Sequence, residues 1–150
     1  MRLVVQRVSS AEVTVENSII SKIAHGLVIF VCFEVGDTDD QLEKMAYKIS
    51  HLRIFEDENE KMNLDIKQIN GEILSISQFT LSWNGDKGHR PSFDRSMAPQ
   101  EAILKYKKWN QMLRESQIVV KEGMFGKMME VKLVNQGPVT FFLNENANKN

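Results

Sequence analysis

The period of the hydrophobic pattern changes along this chain, and each change marks an element. LVVQRV (3–8) and AEVTVE (11–16), where Ala11, Val13 and Val15 alternate with polar residues, predict two half-buried strands. Glu16-Asn17-Ser18 is a turn cluster, and residues 19–23 return as a hairpin partner. His25-Gly26 breaks the chain before LVIFVCF (27–33), whose lack of any polar position predicts a central strand covered on both faces. Asp37-Thr38-Asp39-Asp40 offers an N-cap and an acidic first turn. Leu42, Met45, Ala46, Ile49 and Leu52 then recur at helical spacing to about Arg53. FEDENEKMN (55–63) reads as a polar loop, GEILSISQFTL (71–81) as a strand, and WNGDKGHRPSF (83–93) as a surface loop. Pro99 suits the first turn of a second helix, with Ala102, Tyr106, Trp109 and Leu113 on one face. IVV (118–120), MEVKLV (129–134) and VTFFL (139–143) are strands again, and NENANKN (144–150) is expected to be a flexible tail. Strands first and last with two helices between predict one α+β domain over 1–143. Its sheets are expected to be layered, as a sandwich or barrel-like, with the two main helices packed on one side.

Composition narrows the class. With 42% hydrophobic and 26% charged residues over 150 positions, the chain reads as a soluble domain with its own core. LVIFVCF is too short to span a bilayer, and MRLVVQRV lacks the apolar core of a signal peptide. The one cysteine, Cys32, lies inside the apolar run and reads as a structural thiol, which points to the cytosol. A net charge of −1 argues against salt-driven binding to DNA or another long nucleic acid, while leaving room for a small contact. The acidic runs GDTDDQLE (36–43) and FEDENE (55–60) and the basic runs DKGHR (86–90) and LKYKKW (104–109) read as solvated surface.

Common catalytic constellations are missing from the string. His25, His51 and His89 are widely spaced with no cysteine pair, so neither a metal nor a cofactor is expected. There is no GxSxG, P-loop or GxGxxG, and the methionines, Met128-Met129 included, read as core filler. Two stretches hold chemistry. Ser77-Gln78-Phe79-Thr80 sets polar groups at the end of a strand, where they either lead into a turn or face a ligand. Gly137-Pro138 separates two strand-like segments; because proline cannot donate to a sheet ladder, spacing predicts a hairpin turn, and a working peptide is the other reading.

SQFTL (77–81) and NQGPVT (135–140) resemble the two signature motifs of the D-aminoacyl-tRNA deacylases. QRV (6–8), LRIFEDENEKMN (52–63), KGHRPSF (87–93) and FGKMMEV (125–131) extend the resemblance over residues 1–143, in the family's order. SWNGD (82–86) and Lys127 depart from it, which bears on loop contacts and tRNA docking. The resemblance implies a homodimer that hydrolyses the ester between a D-amino acid and the 3′ end of tRNA. It implies that a cis Gly137-Pro138 peptide enters the partner's site as the chiral selector, fastened by Arg7. It further implies that the backbone N–H groups of Phe79 and Thr80 meet the oxyanion, while Ser77 and Gln78 position the terminal adenosine. Thr80 Oγ is one candidate nucleophile; assistance by the substrate's 2′-hydroxyl is the alternative. Lys87, Arg90, Lys105 and Lys108 are candidate phosphate contacts. A non-catalytic module binding the tRNA 3′ end, and a structural β-rich interaction domain, are the competing readings.

Overall fold

In the computed structural model, which describes residues 1–86 and 88–145, the alternation at the start of the chain runs on through Ser9-Ser10. The two expected strands are therefore one, β1 (Arg2–Val15). Its length comes from its partners. The last strand, β8 (Glu130–Asn144), lies antiparallel along almost all of it, and the other edge is shared by β2 (Ser18–Ile23) and β3 (Gly26–Cys32). The β1–β2 hairpin turns at Glu16 and Asn17, both at positive φ, as a tight turn matching strand twist requires.

The sheet order is β2-β1-β3-β6-β7, where β6 (Glu72–Ser77) and β7 (Val119–Glu122) join in parallel. Ser21 Oγ donates to Glu122 O at 2.5 Å and Lys121 Nζ to Lys22 O at 2.7 Å, tying the two ends of the path into a nearly closed, barrel-like sheet. Strand β3 sits at its centre and has apolar residues on both faces. Val28 packs with Val8, Val13, Leu74 and Ile76 inside the curl. Leu27, Ile29 and Val31 face the other way, towards the helices.

Helix α1 (Asp39–Ser50) starts at Thr38, whose hydroxyl accepts from Gln41 N–H while the Gln41 side chain accepts from Thr38 N–H, a capping box. Helix α2 (Pro99–Glu115) starts on its proline. Leu42, Met45, Ile49, Tyr106, Trp109 and Leu113 form one layer over β1, β3 and β6. Asp39 holds the helices together at the surface, accepting from Lys105 at 2.7 Å and Lys108 at 2.5 Å, bonds that pull its carboxyl down to about 2.

The structure departs from expectation in several places, each for a tertiary reason. Phe55 and Glu56 are no loop but a short strand, β4 (Phe55–Glu56), paired with β5 (Met62–Leu64), because Phe55 is buried against the helical layer. Asp37, read as solvated, is buried and accepts from the Met1 α-amino group and from Glu34 N–H. Met1, Met45 and Met97 fill the core, but Met128 is 90% exposed. The expected tail begins with order: Asn144 pairs with Arg2, and Glu145 donates its N–H to Met1 O. Residues 146–150 of that tail, and Lys87, lie outside the described residues.

Gly137-Pro138 is not a hairpin turn. Strand β8 passes straight through it because both of its halves pair with the same long β1. Thr140 lies opposite Gln6 and Asn135 opposite Val8, so residues 136–139 stand against Arg7 alone. The segment is a wide bulge, one of the few places where a sheet accommodates proline.

Candidate active site

Strand β6 loses its partner where β3 ends. Ser77 is level with Val31, and Gln78 N–H still reaches Val31 O at 2.8 Å. From there the chain leaves the sheet in a 3-10 turn (Phe79–Ser82), where a continued strand was expected. Leu81 N–H returns to Gln78 O and Trp83 N–H to Thr80 O. The N–H groups of Phe79 and Thr80, at the open start of the turn, have no hydrogen-bond partner among the described residues.

They stand beside a pocket of about 400 Å³ lined by Ser77, Gln78, Phe79, Phe93, Met97 and Phe125 among others. The rings of Phe79 and Phe93 meet edge to face with centroids 5.0 Å apart. The Gln78 amide donates to Thr80 Oγ at 2.5 Å, so that oxygen faces a donor rather than a base. Among the described residues, no carboxylate, imidazole or lysine lines the pocket. The titratable lining group is Cys32, whose thiol is pushed up to about 12, first by burial and then by the neighbouring Glu34 carboxylate. It is therefore protonated and inert at neutral pH. Iodoacetamide at pH 8 is expected to leave Cys32 unmodified in the native protein and to alkylate it on unfolding in guanidinium; mass spectrometry reads the difference, and labelling of the native chain would mean the end of β3 opens. No cluster of three or more His, Cys, Asp or Glu side chains is placed to hold a metal among the described residues, and no helix among them is long and apolar enough to cross a membrane.

The second group forms around Arg7. Its guanidinium is buried, donating from Nη1 to Ile54 O at 2.8 Å, from Nε to Gln136 O at 3.2 Å and from Nη2 to Glu56 Oε1 at 3.2 Å. Arg7 is thus a buried, fully engaged side chain and not an ordinary surface arginine. The bulge that it grips is exposed at Gly137 and Pro138, whose peptide bond is cis, and Gly137 has φ of 126°. Asn135 steadies the bulge from within, accepting from Val139 N–H at 3.0 Å and donating to Thr140 Oγ at 2.9 Å.

Ser77, Gln78 and Phe79 therefore come together at one pocket, with Thr80 next in the turn but not on its lining, and Arg7, Gly137 and Pro138 at one bulge. A single chain does not bring the two groups together: Gly137 and Pro138 do not line the pocket. Arg7 is level with Leu27 of β3 and Ser77 with Val31, four residues or about 13 Å further along. Lys105 and Lys108 are engaged with Asp39, and Arg90 is exposed in the loop before Phe93. Spacing gave no sign of Phe93, Cys32 or Phe125 at the pocket; only the stretches KGHRPSF and FGKMMEV, as motifs, could have drawn attention to the two phenylalanines.

Residues 4–144 match the family model described as D-Tyr-tRNA(Tyr) deacylase. The D-aminoacyl-tRNA deacylase of Bacillus licheniformis is 46% identical, covering 98% of this chain and all of its own length. That of Lactobacillus gasseri is 48% identical over 95% of this chain and 99% of its own. Among solved structures, one described as c-Myc DNA Unwinding Element Binding Protein superposes with a TM-score of 0.92 at 38% identity, over 97% of this chain and 99% of that one. Another, described as a probable eukaryotic D-amino acid tRNA deacylase, shares the fold with a TM-score of 0.82 at 16% identity, over 95% of this chain and 97% of its own. With the match spanning nearly the whole sequence and both motifs inside it, the chain belongs to the D-Tyr-tRNA(Tyr) deacylase family.

Proposed function

We propose that the protein is a homodimeric D-aminoacyl-tRNA deacylase of the cytosol, releasing free D-amino acid and tRNA. The observation that carries this reading is the pair of N–H groups, Phe79 and Thr80, unpartnered among the described residues, at the start of a turn whose Phe79 lines a pocket with no carboxylate, imidazole or lysine among its described lining residues. The terminal adenosine enters the pocket against the paired rings of Phe79 and Phe93, with Ser77 and Gln78 orienting it. The ester carbonyl oxygen accepts from the two N–H groups as it becomes an oxyanion; losing one such donor typically costs about 3–4 kcal/mol. Water, oriented with help from the substrate's own 2′-hydroxyl, adds to the carbonyl carbon. The ester C–O bond then breaks, and the 3′-oxygen leaves with the proton.

The chiral selector comes from a second copy. An exposed Gly137-Pro138 bulge, held by Arg7 and remote from its own pocket, supports a site completed across a dimer. Its two carbonyls are acceptors for the α-ammonium. With the ammonium and the ester both fixed, a D side chain points out and an L side chain meets protein, so the site excludes rather than reads. Glycine, having no side chain, passes, and glycyl-tRNA is a substrate.

Purified protein is expected to cleave D-tyrosyl-tRNA and glycyl-tRNA and to spare L-tyrosyl-tRNA. Thr80→Ala should keep its rate within about tenfold, because general base or nucleophile losses are larger than that. Complete loss in a folded variant that still binds tRNA would make Thr80 the nucleophile. Cleavage of neither ester by a folded dimer would favour a non-catalytic module. The DNA-binding description of one solved neighbour motivates a second assay. At a net charge of −1, no retention of duplex DNA is expected at physiological salt.

A further inference from the structure

Two walls of the pocket are loop segments: the 3-10 turn with Phe79, and the stretch carrying Phe93, Ser96 and Met97. A single buried ion pair reaches both. Arg2, 6% exposed, donates from Nη1 to Leu81 O at 2.9 Å and from Nη2 to Asn84 Oδ1 at 2.5 Å, gripping the turn at its far end. The same guanidinium donates from Nε to Glu34 Oε2 at 3.2 Å, and its Nη2 stands 3.1 Å from Oε1 as an ion-pair contact without hydrogen-bond geometry. Glu34, 5% exposed, is tied to the other wall from behind. It bridges to Ser96 through its backbone, Arg95 Nε is 3.7 Å from its Oε1, and the flanking bonds Val35 N–H to Arg95 O and Met97 N–H to Phe33 O complete the seam.

We propose that Arg2 and Glu34 are positioning residues for deacylation: their ion pair braces the two walls, setting the pocket's width and the aim of the Phe79 and Thr80 N–H groups. This rests on the function proposed above. A brace of this kind does not follow from stability. Buried ion pairs are frequently replaceable by apolar residues of similar volume at no loss of stability, whereas removing one partner strands a charge. Neither apolar side chain, however, can hold Leu81 O, Asn84 and the Ser96 segment in one geometry.

The test uses that difference. Arg2→Met alone should lower Tm, since it leaves Glu34 buried without its main partner. Arg2→Met combined with Glu34→Leu should recover most of the Tm. The double variant should still show kcat on D-tyrosyl-tRNA reduced on the order of tenfold or more, as expected for an ångström-scale misplacement, with KM within about twofold because the brace touches no tRNA group. Amide exchange at Leu81 and Trp83, whose N–H groups close the turn, should quicken with it. A double variant with restored Tm and wild-type kcat overturns the proposal. Arg2→Lys provides the same decision if the double variant does not fold. It keeps the charge but not the fork, so lowered kcat with faster exchange supports the brace and wild-type values of both refute it. Should the wild-type protein fail to cleave D-tyrosyl-tRNA, the function falls, and the exchange rates alone decide the brace.

Discussion

Gly137→Ala is expected to slow hydrolysis of D-aminoacyl-tRNA by about a hundredfold, the scale on which a small misplacement at a reacting centre acts, while the chain still folds. Gly137 sits at φ of 126°, where an L side chain is strained by about 1–3 kcal/mol. The new Cβ would lie 2.6 Å from Val139 Cγ2, 3.1 Å from Val139 N and 3.2 Å from Arg7 Nη2. Val139 is buried in the main core and Arg7 is fixed by Ile54 O, so neither can retreat freely. The bulge must rotate instead, and its carbonyls turn with it. Single-turnover rates on D- and L-tyrosyl-tRNA, beside a thermal melt, check this. An unchanged D rate in a protein of near-native Tm would show that the bulge does not select, and a lowered ratio of D to L cleavage is the expected signature of a loosened selector.

Gly26→Ala is expected to be the most damaging single methyl in the sheet. Gly26 is level with Glu72 at the start of the parallel β3–β6 pair, and a Cβ there would stand 1.9 Å from Glu72 O and 2.8 Å from Glu72 C and N. These are backbone atoms with strand β6 behind them. The strands must part at their first rung, and β6 carries Ser77 and the site turn at its other end. The expected cost is about 3–5 kcal/mol, in the tail of single-substitution effects, or a fall in Tm of about 10 °C for a domain of this size. Gly123→Ala is the control. Its Cβ would meet Met129 Sδ at 2.8 Å, the movable end of a flexible side chain, so its cost should stay below about 1 kcal/mol. Equal melting temperatures for the two variants would mean that the close approach at Gly26 is not what holds β3 to β6.

Much of the secondary structure was legible in the string because its causes are local. The N-cap and acidic first turn within Asp37–Asp40, Pro99 at the head of α2, the Glu16-Asn17 turn and the uninterrupted LVIFVCF run each act within one or two turns of chain, and the structure has each where the pattern put it. The motifs SQFTL and NQGPVT likewise pointed to the site's residue types before any coordinates. What failed were the statements that depend on distant partners. Ser9-Ser10 and Gly137-Pro138 both looked like interruptions, yet β1 and β8 run through them because each strand supplies the other's ladder across more than a hundred residues of sequence. Gly26 read as a breaker and is instead the point where β6 comes too close for a side chain.

The two halves of the candidate site divide the same way. Residue types at 77–80 and 137–138 are properties of the sequence. That they lie at different places on one sheet was decided by the strand order β8-β1-β3-β6. The burial of Arg2, Arg7 and Glu34 was decided there too. A charged side chain carries no local signal of burial. It is taken out of water only when folding brings it partners enough to replace water, and those partners, Leu81 O and Asn84 for Arg2, Ile54 O and Gln136 O for Arg7, are assembled by the tertiary structure alone.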